Sequence, residues 1–119
     1  SDLAGLLAAA ADGDLAAVGS PTSSDDAVVL VVAASEGYPA SPRTGDVIEG
    51  LDAARAVDGV DVLCAGVATD DEGGLVTAGG RVLDVVGRGP DIAAARDRAY
   101  AALAEISWPG RHHRTDIAR

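Results

Sequence analysis

The sequence predicts a small α+β domain: an N-terminal helix, a polar linker, an antiparallel β-rich sheet and one covering helix. Three observations predict it. Short β-branched runs recur between clusters of turn-forming residues. One segment near the C-terminus carries apolar residues at helical spacing. The 119 residues are 48% hydrophobic with no Phe or Met and a single Trp, which describes one domain with a core of small side chains.

The elements follow in order. "SDLAGLLAAAADGDL" places Leu3, Leu6, Leu7 and Ala10 on one helical face, with Ser1 or Asp2 to cap its start and Gly13 to end it. A helix this short is marginal alone and needs a partner surface. "GSPTSSDD", residues 19–26, is a polar linker. "AVVLVVAAS" is a continuous β-branched run, which predicts a strand buried on both faces. "EGYPASPRTGDVIEG" has three glycines and two prolines and predicts a loop, with at most a short strand at Val47–Ile48. Val60 to Thr69 is a second buried-strand candidate. "DDEGG" is a turn, "LVTA" a short strand, "GG" a second turn and "RVLDVVG" a third strand, a spacing that predicts an antiparallel meander. Asp91 caps a closing helix whose inner face is Ile92, Ala95, Ala99, Tyr100, Leu103 and Ile106, with Arg96, Asp97 and Glu105 outward. The tail "RHHRTDIAR" is polar and arginine-rich.

Charge and composition narrow the function. A net charge of −10 argues against a nucleic-acid partner, because phosphate-backbone binding needs a positive face. It leaves room for one small phosphate held by one or two arginines. All nine basic residues are Arg, and Lys, Asn and Gln are absent, a usage that fits GC-rich coding. The longest apolar run, Ala27 to Ala34, is far shorter than the ~20 residues of a membrane span. The lone Cys64 has no disulfide partner, and "SDLAGLL" has neither the basic region nor the cleavage site of a signal peptide. The expectation is a cytoplasmic chain entered partway through a longer protein.

Several residue groups suggest sites. Gly87-Arg88-Gly89 is half of a dinucleotide fingerprint; the third glycine is missing, and a strand-to-helix turn is the plainer reading. Asp70, Asp71 and Glu72 lack calcium-loop spacing and read as a solvated hairpin turn. His112 and His113 are adjacent and have no cysteine at zinc spacing. Cys64 sits in a hydrophobic run, where a thiol behaves as a small apolar group unless a base lies near it. The phosphate-cradling loop that ends in Lys-Ser/Thr is impossible without lysine. Gly79-Gly80-Arg81 and Glu36-Gly37-Tyr38-Pro39 remain. The glycines either make a tight turn or let another group approach the backbone, and Arg81 could grip a carboxylate or phosphate with its planar fork.

In order, "SDL" with the following Gly5 and Leu7, "GYP", "TGDVIEGL", "AGVATDDEGGLVTAGGRVLDVVGRG", "AYAALAEISW" and "HRTDI" resemble the C-terminal domain of the glycinamide ribonucleotide synthetases, the phosphoribosylamine–glycine ligases. The resemblance runs from Ser1 to Ile117. It implies that an intact protein would be an ATP-grasp ligase of purine synthesis. Such an enzyme joins glycine to 5-phosphoribosylamine with ATP and Mg²⁺ (or Mn²⁺), through a glycyl phosphate. The family's nucleotide, metal and glycine sites would lie in upstream domains, so this chain is expected to hold no cofactor and to be inactive alone.

The resemblance also divides the chain: residues 1–18 as a helix left from the ATP-grasp domain, 19–26 as linker, and 27–119 as the C-terminal domain. The fold it implies is the biotin-carboxylase C-terminal type with a rudiment single hybrid motif. It further implies that Gly79, Gly80, Arg81 and Tyr38 wall the substrate cleft, Arg81 facing the anionic phosphoribosylamine. Arg114 and Asp116 would pin the tail as an ion pair. Two positions depart from the family pattern. Cys64 replaces a histidine and Val67 a threonine, which removes polar groups from that strand end. Ala118 replaces a glycine, which implies a less demanding final turn. Two other functions fit the residues alone: a free-standing acidic protein-binding or scaffold module, and a small hydrolase using Cys64 or His113.

Overall fold

A computed structural model describes all of residues 1–119. Its elements are α1 (Leu3–Asp12), α2 (Leu15–Val18), β1 (Ala27–Ala34), α3 (Leu51–Arg55), β2 (Val60–Cys64), β3 (Val67–Thr69), β4 (Leu75–Thr77), β5 (Arg81–Gly89) and α4 (Ile92–Glu105). The α+β class holds, and the strands are antiparallel. They do not form a single meander, however. The last strand, β5, lies between β1 and β2 and pairs antiparallel with both, while β3 and β4 make a separate hairpin. Both edge strands need the apolar centre of β5, whose Val82, Leu83 and Val85 are fully buried.

Strand alternation sorts the sheet into two faces. Val29, Val31 and Ala33 of β1, Leu83 and Val85 of β5, and Val60 and Val62 of β2 pack under α4 with Ala95, Ala99, Ala102 and Leu103. The other face has no covering element. Val28 is 54% exposed and Leu30 43%, so β1 is buried on one face only, contrary to the expectation from its unbroken apolar run. A two-sided burial would need a second layer, and the only layer on β1 is α4.

The helix α4 begins as expected, with the Asp91 carboxylate accepting from Ala94 N at 2.8 Å. Its inner face includes Ala102 and omits Ile92, which is exposed. Small residues let the helix sit close to the sheet. A Cβ on Gly87 would come within 2.6 Å of Ala99 N and overlap the carbonyl of Ala95. Gly87-Arg88-Gly89 is therefore the end of β5, seated under α4, and not a strand-to-helix turn. At the other end of α4, Arg111 Nη1 donates to Leu103 O at 2.6 Å, a cation on the last turn of the helix.

Residues 60–69 break at Ala65-Gly66 into β2 and β3 and are not one strand. The exposed end of β2 carries Cys64, which is exposed and not a core thiol. The short helix α3 was not expected from the sequence. It buries only Ala54 and packs beside α4.

At the N-terminus, Asp2 accepts from Gly5 N at 3.1 Å and Gly13 ends α1 at φ 76°, both as expected. Neither α1 nor α2 has a buried residue. The radius of gyration, 17.1 Å, exceeds the roughly 13.5 Å of a compact chain this long, as projecting N-terminal helices require.

Candidate functional site

A cleft of about 600 Å³ opens on the uncovered face of the sheet, lined by Val32, Tyr38, Ala65, Gly66, Gly80, Arg81 and Asp84. Its key feature is a β-bulge. Ala33 pairs with Leu83, but Ala34 pairs with Arg81, so Val82 is an extra residue in β5. Simple alternation would put Arg81 on the face of Leu83 and Val85, beneath α4. The bulge turns it instead into the cleft beside Val32 and Asp84, which belong to the open face. Sequence spacing carries no signal for this step.

The opposite wall is Tyr38. Its ring lies against Gly80 so closely that a Cβ there would overlap it. Glycine is needed at this position by the ring and not by the turn angle, since Gly80 is not among the positive-φ glycines. The buried Ser35 fixes the turn: its Oγ donates to Gly79 O at 2.9 Å and its N–H to Gly80 O at 2.9 Å. Gly79 thus supports the wall from behind, while Gly80, Arg81 and Tyr38 line the space.

A residue that sequence reasoning missed holds the Tyr38 loop. Arg43 donates from Nε to Asp46 at 2.9 Å, from Nη2 to Asp46 at 2.7 Å and from Nη1 to Glu36 at 2.7 Å. Its Nη2 also reaches Pro109 O at 3.3 Å, and its backbone N–H bonds Glu36 O at 2.9 Å. This planar, bidentate grip closes residues 36–46 into one loop. The hydrogen bonds from Arg43, with its charge, hold the Asp46 carboxyl below its ordinary range, and Asp46 in turn raises the guanidinium. The two carboxylates near Arg43 in sequence were the available signal.

Arg81, by contrast, makes no ion pair or side-chain hydrogen bond within the chain, nor does the Asp84 carboxylate or the Tyr38 hydroxyl. The cleft therefore presents one free cation, one free carboxylate and one phenol to whatever enters it. It can bind a small molecule that is anionic at one end and a hydrogen-bond donor at the other.

The remaining sequence candidates lie elsewhere. Asp70 accepts from Glu72 N at 3.0 Å and Gly74 N at 2.7 Å, so the acidic run is the β3–β4 turn. Cys64 bonds neither a histidine nor a carboxylate and has no base for nucleophilic chemistry. His113 packs beside Tyr100 with centroids 6.1 Å apart. Burial, then the charge of Arg111 and its neighbour His112, lowers its pKa. No group of three His, Cys, Asp or Glu is placed to hold a metal ion. Arg114 pairs with Asp116 as expected, with Nε–Oδ1 at 2.8 Å, and Tyr100 Oη donates to Arg114 O at 2.8 Å. The final turn is as demanding as a glycine position: Ala118 sits at φ 55°, in the left-handed region, which corrects the expectation of a relaxed turn.

Residues 28–119 match the family described as phosphoribosylglycinamide synthetase, C domain. The chain is 52% identical over 117 residues to a phosphoribosylamine–glycine ligase of Streptomyces coelicolor, covering 98% of this chain and 28% of that protein. It is 48% identical over 118 residues to the chloroplastic phosphoribosylamine–glycine ligase of Arabidopsis thaliana, covering 98% of this chain and 22% of that one. Among solved structures, the phosphoribosylamine–glycine ligase of Thermotoga maritima superposes with a TM-score of 0.65 at 37% identity, over 75% of this chain and 21% of that one. The chain spans about a quarter of the length of the curated relatives it matches.

Proposed function

The chain belongs to the phosphoribosylglycinamide synthetase C-domain family, and we propose that it is the C-terminal part of a phosphoribosylamine–glycine ligase. The proposed reaction forms an amide between the glycine carboxyl and the amine of 5-phosphoribosylamine. The role of this chain is to wall the sugar-phosphate end of the active-site cleft. One observation carries the reading: the bulge at Val82 delivers an unpaired guanidinium, Arg81, into a cleft walled by Tyr38 on Gly80. An arginine fork suits the terminal phosphate, and Gly79 supports the turn that aims it.

Such ligation needs ATP and a divalent metal such as Mg²⁺. The residues of this chain do not fit either group, having no lysine and no metal-ligating cluster. Their sites, and the glycine site, belong to upstream ATP-grasp and N-terminal domains. In this reading residues 1–18 are part of the ATP-grasp domain, 19–26 are linker and 27–119 form the C-terminal domain. The exposed Leu3 and Leu7 of α1 and the uncovered Val28, Leu30 and Leu63 of the sheet are surfaces those domains would cover. No helix is long and apolar enough to cross a membrane. A cytoplasmic location for the intact enzyme is part of the same proposal. The free-standing scaffold reading has no support from relatives that are themselves ligases by name.

Arg81→Ala in the intact ligase tests this. A lost charge-assisted contact is worth ~1.5–3 kcal/mol, so the KM for phosphoribosylamine should rise by about 10- to 100-fold while that for ATP stays put. Unaltered kinetics would remove Arg81 from the site.

A further inference from the structure

We infer that Asp84 is a specificity-determining residue, which selects a phosphorylated sugar over a bare anion by accepting hydrogen bonds from a vicinal diol. The inference rests on the reading of the cleft given above and extends it to a residue on the central strand.

Asp84 stands opposite Val32 on one side and Leu63 on the other, and Val86 follows it on the same face. It is a half-buried carboxylate set among apolar neighbours, yet it accepts no hydrogen bond through its side chain and pairs with no cation. The same face treats its other carboxylate differently: Asp61 pairs with Arg88 at 3.3 Å. A carboxylate that is partly desolvated favours a donor partner, and the cleft offers none from the chain. Arg81 shares the cleft without pairing to it.

These two charges constrain the ligand. An inorganic anion at Arg81 meets the repulsion of Asp84 and brings it nothing. A sugar phosphate meets both groups with the right polarity. Its phosphate lies at one end for the guanidinium. Two adjacent hydroxyls lie at the other, matching the two oxygens of a carboxylate. The Tyr38 ring and Val32 flank the space between, and the cleft, at about 600 Å³, is within the range of small-molecule sites.

The experiment uses the intact ligase and three inhibitors competing with phosphoribosylamine: ribose 5-phosphate, 2-deoxyribose 5-phosphate and inorganic phosphate. The native enzyme should bind ribose 5-phosphate about tenfold more tightly than its deoxy counterpart, the effect of one hydrogen bond to a charged acceptor. Asp84→Asn should bring that ratio close to one, and should tighten inorganic phosphate because the repulsion is gone. Arg81→Ala should weaken all three inhibitors. If Arg81→Ala weakens them and Asp84→Asn leaves the ratio at its native value, the inference about Asp84 is wrong while the cleft assignment stands. If Arg81→Ala changes none of them, the cleft is not the sugar-phosphate site and both fall. A lowered melting temperature in Asp84→Asn with an unchanged ratio would make Asp84 structural and overturn the inference as well.

Discussion

The two faces of the three-stranded sheet come from the same alternating strands and serve opposite ends. The face under α4 carries Val29, Val31, Ala33, Val60, Val62, Leu83 and Val85 and no charge at all. The open face alternates Val28, Leu30, Val32, Val86 and Leu63 with Asp61, Asp84 and Arg88. At one end of that face the charges are paired, Arg88 with Asp61; at the cleft end Asp84 and Arg81 are unpaired. The first face supplies stability, at about 1.5–3 kcal/mol for each fully buried Val or Leu. The second gives up burial and keeps chemistry available. Gly87 and Gly80 show the division most directly. Each is a glycine because something lies against it, a helix backbone in one case and an aromatic ring in the other.

The largest effect is expected from Gly87→Ala, on the face under α4. Its Cβ would press on the backbone of Ala95 and Ala99, and a backbone cannot swing aside. Overpacking of that kind costs about 3 kcal/mol, so the melting temperature of the chain should fall by roughly 10 °C. In the intact ligase proposed above, the KM for phosphoribosylamine should not move. Equal stability of variant and native protein in a thermal melt would mean that α4 is not seated on this strand as described.

Gly80→Ala tests the open face. Here the obstacle is the Tyr38 ring, which is partly exposed and can rotate outward. Stability should fall by only about 1 kcal/mol. The cleft loses its wall, however, and the intact enzyme should need several-fold more phosphoribosylamine for half-maximal rate. A large thermal loss without a kinetic one would place Gly80 with Gly87, as a packing residue.

What could be read in advance follows from which signals are local. The cap at Asp91, the inner alanines of α4 and the turn at Asp70 to Gly74 depend on residues a few positions apart, and sequence shows them. Whether β1 is covered on one face or two depends on a layer that is absent from its own segment, so its apolar run misled. The bulge at Val82 arises from a mismatch between strands distant in sequence. The apolar run around Cys64 looks continuous and implies a core thiol, whereas the chain breaks just after it. Arg81, Gly80 and Tyr38 were legible as site candidates through the family pattern. The ring-on-glycine contact that joins them, and the free state of Asp84, arise from residues far apart in sequence.

The smallest effect concerns the rim of the open face, where Arg43 holds the Tyr38 loop through Asp46. The Asp46 carboxyl titrates lower in the folded chain than when unfolded, first because it accepts hydrogen bonds from Arg43. A depressed carboxyl contributes stability that is complete above its unfolded pKa of about 3.9 and disappears as pH falls through the folded value. Asp116, held down by Arg114, titrates in the same direction. Asp46→Asn should therefore lower the melting temperature slightly at pH 7, and the gap from the native protein should close as pH falls from about 4 toward 2. The Asp116 contribution is common to both proteins and cancels in that difference. A gap that stays constant across the acid range would show that the charge of Asp46 does not hold the loop, leaving that to the Arg43 contacts with Glu36 and Pro109 and to the backbone bonds from Arg43 to Glu36 and Ser41 to Gly37. In that case the open face would owe the position of Tyr38 to those remaining contacts, and the Arg43–Asp46 ion pair would add nothing to the cleft.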